Sequence, residues 1–140
     1  MTTRVDFYLI PEPTMEARQL FACRLIDKAY RQGHRIYFYV LPESAQSVDD
    51  HLWTFKDTSF VPHSMDKNNN TLPVLIGHTA PPAEWTDLLV NITPNIPDFF
   101  AQFQRIVEIV PNEPAWRERA RQHYRQYRQK GCELESHELE

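Results

Sequence analysis

Apolar positions recur along this chain with two different periods. Val5-Asp-Phe-Tyr-Leu9 alternates in part, contains β-formers and stops at Ile10-Pro-Glu-Pro13, which predicts a first strand. Met15, Leu20, Phe21, Leu25, Ile26, Ala29 and Tyr30 then recur at helical spacing, and that helix ends near Gly33. Residues 35–41 form a near-continuous run of β-branched, aromatic and aliphatic side chains, the pattern of a central strand covered on both faces. Pro42 to Ser44 opens a second helix carrying Ala45, Val48, Leu52 and Trp53.

Between residues 56 and 71 the periodicity breaks into a polar loop that contains Ser59-Phe-Val-Pro-His63. Residues 73–77 and 87–91 are predicted as two short strands, residues 97–103 as a short helix and residues 106–110 as the last strand. Strand, helix, strand, helix in that order implies right-handed crossovers. The expected fold is a single α/β domain over residues 1–131, a mostly parallel twisted sheet with helices on both faces, Rossmann-like but without a nucleotide-binding glycine loop. After Gly131 only Cys132, Leu134 and Leu139 are apolar. With Glu133, Glu135, Glu138 and Glu140 among them, residues 132–140 are expected to be a mobile acidic tail.

Composition adds bounds to this picture. With 140 residues, 41% hydrophobic and 24% charged, the chain is long enough for one real core. Without a membrane-length apolar run or a basic-then-apolar leader, a cytoplasmic location is expected, with no membrane partner. Cys23 and Cys132 make no disulfide framework and are expected as reduced thiols.

Charge singles out one segment. Residues 113–130 are predicted to form a helix, with Glu113 and Pro114 suited to its first turn and Gly131 to the position past its end. From Arg117 to Lys130, six cations (Arg117, Arg119, Arg121, Arg125, Arg128, Lys130) face Glu118 alone, a local charge of +5 in a chain of formal charge −4. At about 100° per residue, Trp116, Ala120, His123 and Tyr127 share one stripe, predicted to pack on the core. Tyr124, Arg117, Arg121 and Arg128 cluster beside it within about 60°. An aromatic ring among guanidinium groups suits an acidic ligand with an apolar end; a solvated basic face is the plain alternative.

Catalytic signatures are absent. Gly33, Gly77 and Gly131 are the only glycines, so no dinucleotide fingerprint or phosphate loop exists. The six histidines are dispersed without zinc spacing, and no metal or cofactor is implied. Asp49 and Asp50 point about 100° apart on a helix, and Ser59 with His63 lacks a nucleophile elbow. Leu52-Trp53 and Phe60-Val-Pro-His63 place large apolar groups at a helix end and in a loop, either as interface anchors or as a lid folded over the sheet.

Val5-Asp-Phe-Tyr-Leu9, Leu52-Trp53, Ser59-Phe-Val-Pro-His63, Val110-Pro111, Ala120-Arg121 and Tyr124-Arg-Gln-Tyr-Arg128 occur in the order in which the chi subunits of bacterial DNA polymerase III holoenzyme carry similar segments, and the chain resembles that family over nearly its full length. The resemblance implies a non-catalytic accessory subunit of the clamp-loader assembly. One surface would bind the psi subunit, and another the acidic C-terminal tail of single-stranded DNA-binding protein, which ends in a phenylalanine carboxylate. DNA would be met only indirectly. By motif, the tail site maps to Val110, Arg117, Arg121 and Tyr124 with Arg128 as a neighbouring helper. The psi site maps to Leu52, Trp53, Phe60, Val61, Pro62 and His63, a surface also open to a helicase partner through Trp53. The chain differs from better-known members in a shorter middle segment and its glutamate-rich end. The rival reading is direct single-stranded nucleic-acid binding by the same arginines, with Tyr124 stacking on a base.

Overall fold

The computed structural model describes residues 3–54, 61–65 and 72–139. Among these residues seven strands form one sheet: β1 (Arg4–Leu9), β2 (Ile36–Tyr39), β3 (His63–Ser64), β4 (Val74–Gly77), β5 (Leu88–Asn91), β6 (Arg105–Val110) and β7 (Glu133–Glu138). Their spatial order is β3-β4-β2-β5-β6-β1-β7, and every pairing is parallel. Helices α1 (Met15–Arg31), α2 (Ala45–Thr54) and α3 (Pro114–Gln129) cover the sheet. This is the expected open, parallel α/β architecture.

Local chemistry sets the helix ends. The Thr14 hydroxyl accepts from Ala17 N at 3.1 Å and caps α1. Past its C-terminus Gly33 takes φ 89°, where a side chain would be strained. Pro42–Ser44 forms a 3₁₀ turn before α2, and Phe100–Gln102 forms another where a short helix is predicted.

Two apolar layers flank the sheet. Ala22, Cys23 and Ile26 of α1 and Val48 and Leu52 of α2 pack on Ile36, Phe38, Val74, Val90 and Val107 on one face. Tyr127 of α3 packs with Phe7, Tyr37, Leu89, Phe103 and Ile106 on the other, with Trp116 and Ala120 at its margin. The central strands are buried on both faces, which is why residues 35–41 show no alternation.

Two expectations need correction. His63–Ser64 pairs beside β4 as β3, inside the stretch read as loop. Residues 133–138 are not a mobile tail: they form β7, in register with β1 from Arg4↔Glu133 to Leu9↔Glu138. An edge strand draws on its neighbour's backbone and needs few apolar side chains. Leu134 alone packs on the core, while the opposite side is held by charge. Buried Asp6 accepts from Arg105 Nε at 2.7 Å, from His137 at 3.0 Å and from Arg4 at 3.2 Å. Burial pushes its carboxyl up, but those donors outweigh it and hold Asp6 below the usual carboxylate range. His137 also stacks on Tyr8 with ring centroids 4.7 Å apart.

Candidate partner-binding sites

The strand order places a crevice at the carboxyl ends of β1 and β6. From β1 the chain turns to α1 on one face, and from β6 it turns to α3 on the other, which is where open parallel sheets place ligands. The Glu113 carboxylate accepts from Trp116 N at 3.0 Å and Pro114 opens the helix, so α3 starts at this crevice.

Several buried polar contacts mount α3. His123 Nδ1 lies 2.8 Å from Glu108 Oε1 and its Nε2 lies 3.0 Å from Pro94 O. Glu108 Oε2 accepts from the Tyr127 hydroxyl at 2.7 Å and from Asn91 Nδ2 at 3.2 Å. Burial lowers the His123 pKa, yet the hydrogen bond and charge of Glu108 prevail and leave it raised. Arg18 of α1, 2% exposed, donates to Ile92 O at 2.6 Å and sits 4.1 Å over the Trp116 ring. Burial lowers its pKa to about 10, so it remains cationic at neutral pH and joins α1 to the first turn of α3.

Beside this mount lies a groove of about 360 Å³. Phe7, Leu9, Val110 and Tyr124 supply its apolar lining, Arg117, Arg121 and Arg125 its charge, and Ser136 of β7 contributes to one wall. Phe7 and Tyr124 pack with ring centroids 5.6 Å apart. Arg117 is pre-positioned: Nε donates to Pro111 O and Nη2 to Ile10 O, each at 3.3 Å. Arg121 contacts Glu118 at 2.8 Å, with both side chains largely exposed. Such a surface pair contributes about 0–1 kcal/mol, so a ligand carboxylate can replace Glu118 at small cost.

Of the residues singled out by sequence for this site, Val110, Arg117, Arg121 and Tyr124 line the groove together. Arg128 does not line it. It shares their angular stripe, but a helix advances 1.5 Å per residue, which sets it roughly 16 Å beyond Arg117 along the axis. Arg125 lines the groove and was missed, although its i+4 relation to Arg121 was a usable signal. Phe7, Leu9 and Ser136 carried none, because they arrive from β1 and β7.

The second candidate surface splits by burial. Leu52 and Val61 are each 1% exposed and belong to the core, while Trp53 is 51% exposed. Pro62 is half-buried, and Phe60 lies outside the described residues. His63 is buried; its ring lies 4.7 Å from that of Trp53 and its Nε2 is 3.0 Å from Asp49 Oδ1. Ser59 also lies outside the described residues.

Among the described residues, metal-ligand chemistry comes together at one place. Donor atoms of Asp6, Glu135 and His137 lie within 4.8 Å of one another. Arg4 and Arg105 already occupy Asp6, and Arg4 also bonds Glu135 at 2.9 Å, so two guanidinium charges oppose a cation there. Among the described residues no helix is long and apolar enough to cross a membrane.

Fold and site together define an open parallel α/β protein whose switch-point crevice holds guanidinium groups over an aromatic floor, in place of a phosphate-binding loop. The model of the family described as DNA polymerase III chi subunit, HolC, matches residues 1–135, and the chain belongs to that family of replication accessory subunits. It is 43% identical over 138 residues to DNA polymerase III subunit chi of Pseudomonas aeruginosa, covering 98% of this chain and 97% of that one. It is 29% identical to the subunit of the same name from Haemophilus influenzae over 96% of each chain. The Escherichia coli subunit chi is 28% identical, over 91% of this chain and 92% of that one.

Proposed function

We propose that this chain is a non-catalytic adaptor that binds the acidic C-terminal tail of single-stranded DNA-binding protein in the α3 groove and the psi subunit of the clamp loader through the surface around Trp53. The carrying observation is the convergence of Arg117, Arg121 and Arg125 on an apolar lining of Phe7, Val110 and Tyr124. The terminal phenylalanine ring of the tail lies on that lining. Its carboxylate meets Arg117, which is already held in place by two backbone carbonyls, while Arg121 and Arg125 take the acidic residues upstream.

For psi, Trp53 supplies the exposed aromatic anchor. Leu52, Val61 and His63 support it from below, since they are buried. With no catalytic constellation proposed, the protein acts by connecting partners.

Isothermal titration calorimetry with an acidic peptide ending in phenylalanine tests the tail site. A charge-assisted hydrogen bond contributes about 1.5–3 kcal/mol, so Arg121→Ala weakens binding about tenfold or more. Removing the terminal phenylalanine from the peptide abolishes most of the remaining affinity. Unchanged affinity in a folded Arg121→Ala variant would place the tail elsewhere.

A further inference from the structure

The larger of the grooves along β1 lies on the opposite face of the sheet. It has a volume of about 480 Å³ and runs between α1 and the β1 and β6 strands, lined by Tyr8, Phe21, Arg24, Leu25, Lys28 and Arg105 among others. No acidic side chain is among its described lining residues, although the chain as a whole has a formal charge of −4. Arg105 is committed to Asp6 at 2.7 Å and to the Tyr8 hydroxyl at 2.9 Å. Arg24 and Lys28 are exposed, and neither makes a side-chain hydrogen bond or ion pair among the described residues. They stand one helical turn apart, about 6 Å along the α1 axis. Tyr8 and Phe21 pack at 5.5 Å between ring centroids on the groove floor. A neighbouring groove shares Phe21 and Arg24 and extends this face toward Ile10 and Leu139.

We propose that this α1 groove is a weak, sequence-independent contact site for the phosphate backbone of single-stranded DNA, with Arg24 and Lys28 as its phosphate ligands. Charge complementarity names a polyanion. The details favour a nucleic-acid backbone over a peptide carboxylate. The α3 groove holds Arg117 on two carbonyls, as a directional carboxylate clamp requires, whereas Arg24 and Lys28 are exposed charges, one of them an ammonium, with no protein acceptor fixing their direction among the described residues, as suits contacts to successive phosphates. Cations interleaved with aromatic side chains are the composition of single-strand binding grooves. A subunit of a DNA polymerase also works where that polyanion is abundant. The site lies on the other face of the sheet from α3, so DNA and a ligand of the α3 groove can be held at once.

Fluorescence anisotropy of the full chain with a labelled oligodeoxythymidylate, read over a salt series, tests this. Each phosphate contact on a single strand contributes about −0.7 to the slope of log affinity against log salt, so two contacts lower affinity roughly sevenfold between about 50 and 200 mM salt. The Arg24→Ala/Lys28→Ala double variant should lose that dependence, and its affinity at low salt should fall to a residual level. The variant should keep its unfolding midpoint and its affinity for the acidic peptide. The proposal is overturned by no oligonucleotide binding at low salt, by binding of the double variant equal to the parent's, or by loss of binding on Arg121→Ala instead. Displacement of the oligonucleotide by a lower concentration of oligoaspartate than of unlabelled oligodeoxythymidylate also overturns it, in favour of an acidic peptide.

Discussion

Replacing Glu108 with glutamine removes the charge on which α3 is mounted while keeping nearly the same shape. The parent carboxylate faces three donors: His123 Nδ1 at 2.8 Å, the Tyr127 hydroxyl at 2.7 Å and Asn91 Nδ2 at 3.2 Å. An amide has one acceptor oxygen, so its NH₂ must turn toward at least one of those donors. His123 bridges two acceptors, Glu108 Oε1 and Pro94 O, so both ring nitrogens must donate and the imidazole is held as a cation. His123 and Glu108 are each 6% exposed, so solvent screens the pair little. Charge-assisted hydrogen bonds contribute about 1.5–3 kcal/mol. We therefore expect Glu108→Gln to cost ~2–3 kcal/mol, lowering the thermal midpoint by roughly 8–12 °C.

The pH dependence isolates the ion pair from general damage. The folded pKa of His123 is raised above its ordinary value of 6.5. Above that value the native state keeps a proton that the unfolded chain has released, so the contribution is complete below it and is lost as pH rises through the folded pKa. Thermal unfolding followed by circular dichroism across about pH 6 to 9 should show the gap between parent and Glu108→Gln narrowing with rising pH. A gap that is constant across that range would refute a charged His123. A gap below about 0.5 kcal/mol would refute the mount itself.

Other substitutions separate surface from core and strand from tail. Trp53→Ala should cost clearly less unfolding free energy than truncation of its buried neighbour Leu52, because Trp53 is 51% exposed with its ring packed against His63, while pull-down of the psi subunit falls. Leu52→Ala, one residue away and buried, should cost about 2–5 kcal/mol by chemical denaturation. Removing residues 132–140 deletes the β1–β7 ladder, the His137 partner of Asp6 and the Ser136 wall of the groove. Both the denaturation midpoint and the affinity for the acidic peptide should fall, and an unchanged midpoint would return that segment to the status of a tail.

Periodicity along the chain carried most of the architecture. The run at residues 35–41 and the helical spacing before Gly33 were sufficient to place β2 and α1, because a strand buried on both faces and an amphipathic helix each impose their own spacing on neighbouring residues. The rotational cluster of Arg117, Arg121 and Tyr124 was equally visible, since one helix carries all three. Angle alone does not fix a groove: Arg128 shares the stripe but lies too far along the axis, whereas Arg125 lies about 80° from Arg117 and still reaches the lining.

Tertiary structure alone decided what depends on residues far apart in sequence. β7 exists because β1 offers it a backbone ladder and Asp6 draws in His137, a partnership 131 residues apart that no local apolar pattern records. The packing of β1 and β7 beside α3 gives the groove Phe7, Leu9 and Ser136, and the turn after β1 gives Arg117 the Ile10 carbonyl. Glu108 and His123 read as an isolated acid on a strand and a histidine on a helix stripe until the fold sets them 2.8 Å apart out of water. Sequence determined which elements form and which helix carries the charge, because those follow from neighbours along the chain. The fold determined which charges are fixed, which are free and what apolar surface they border, because those follow from neighbours in space.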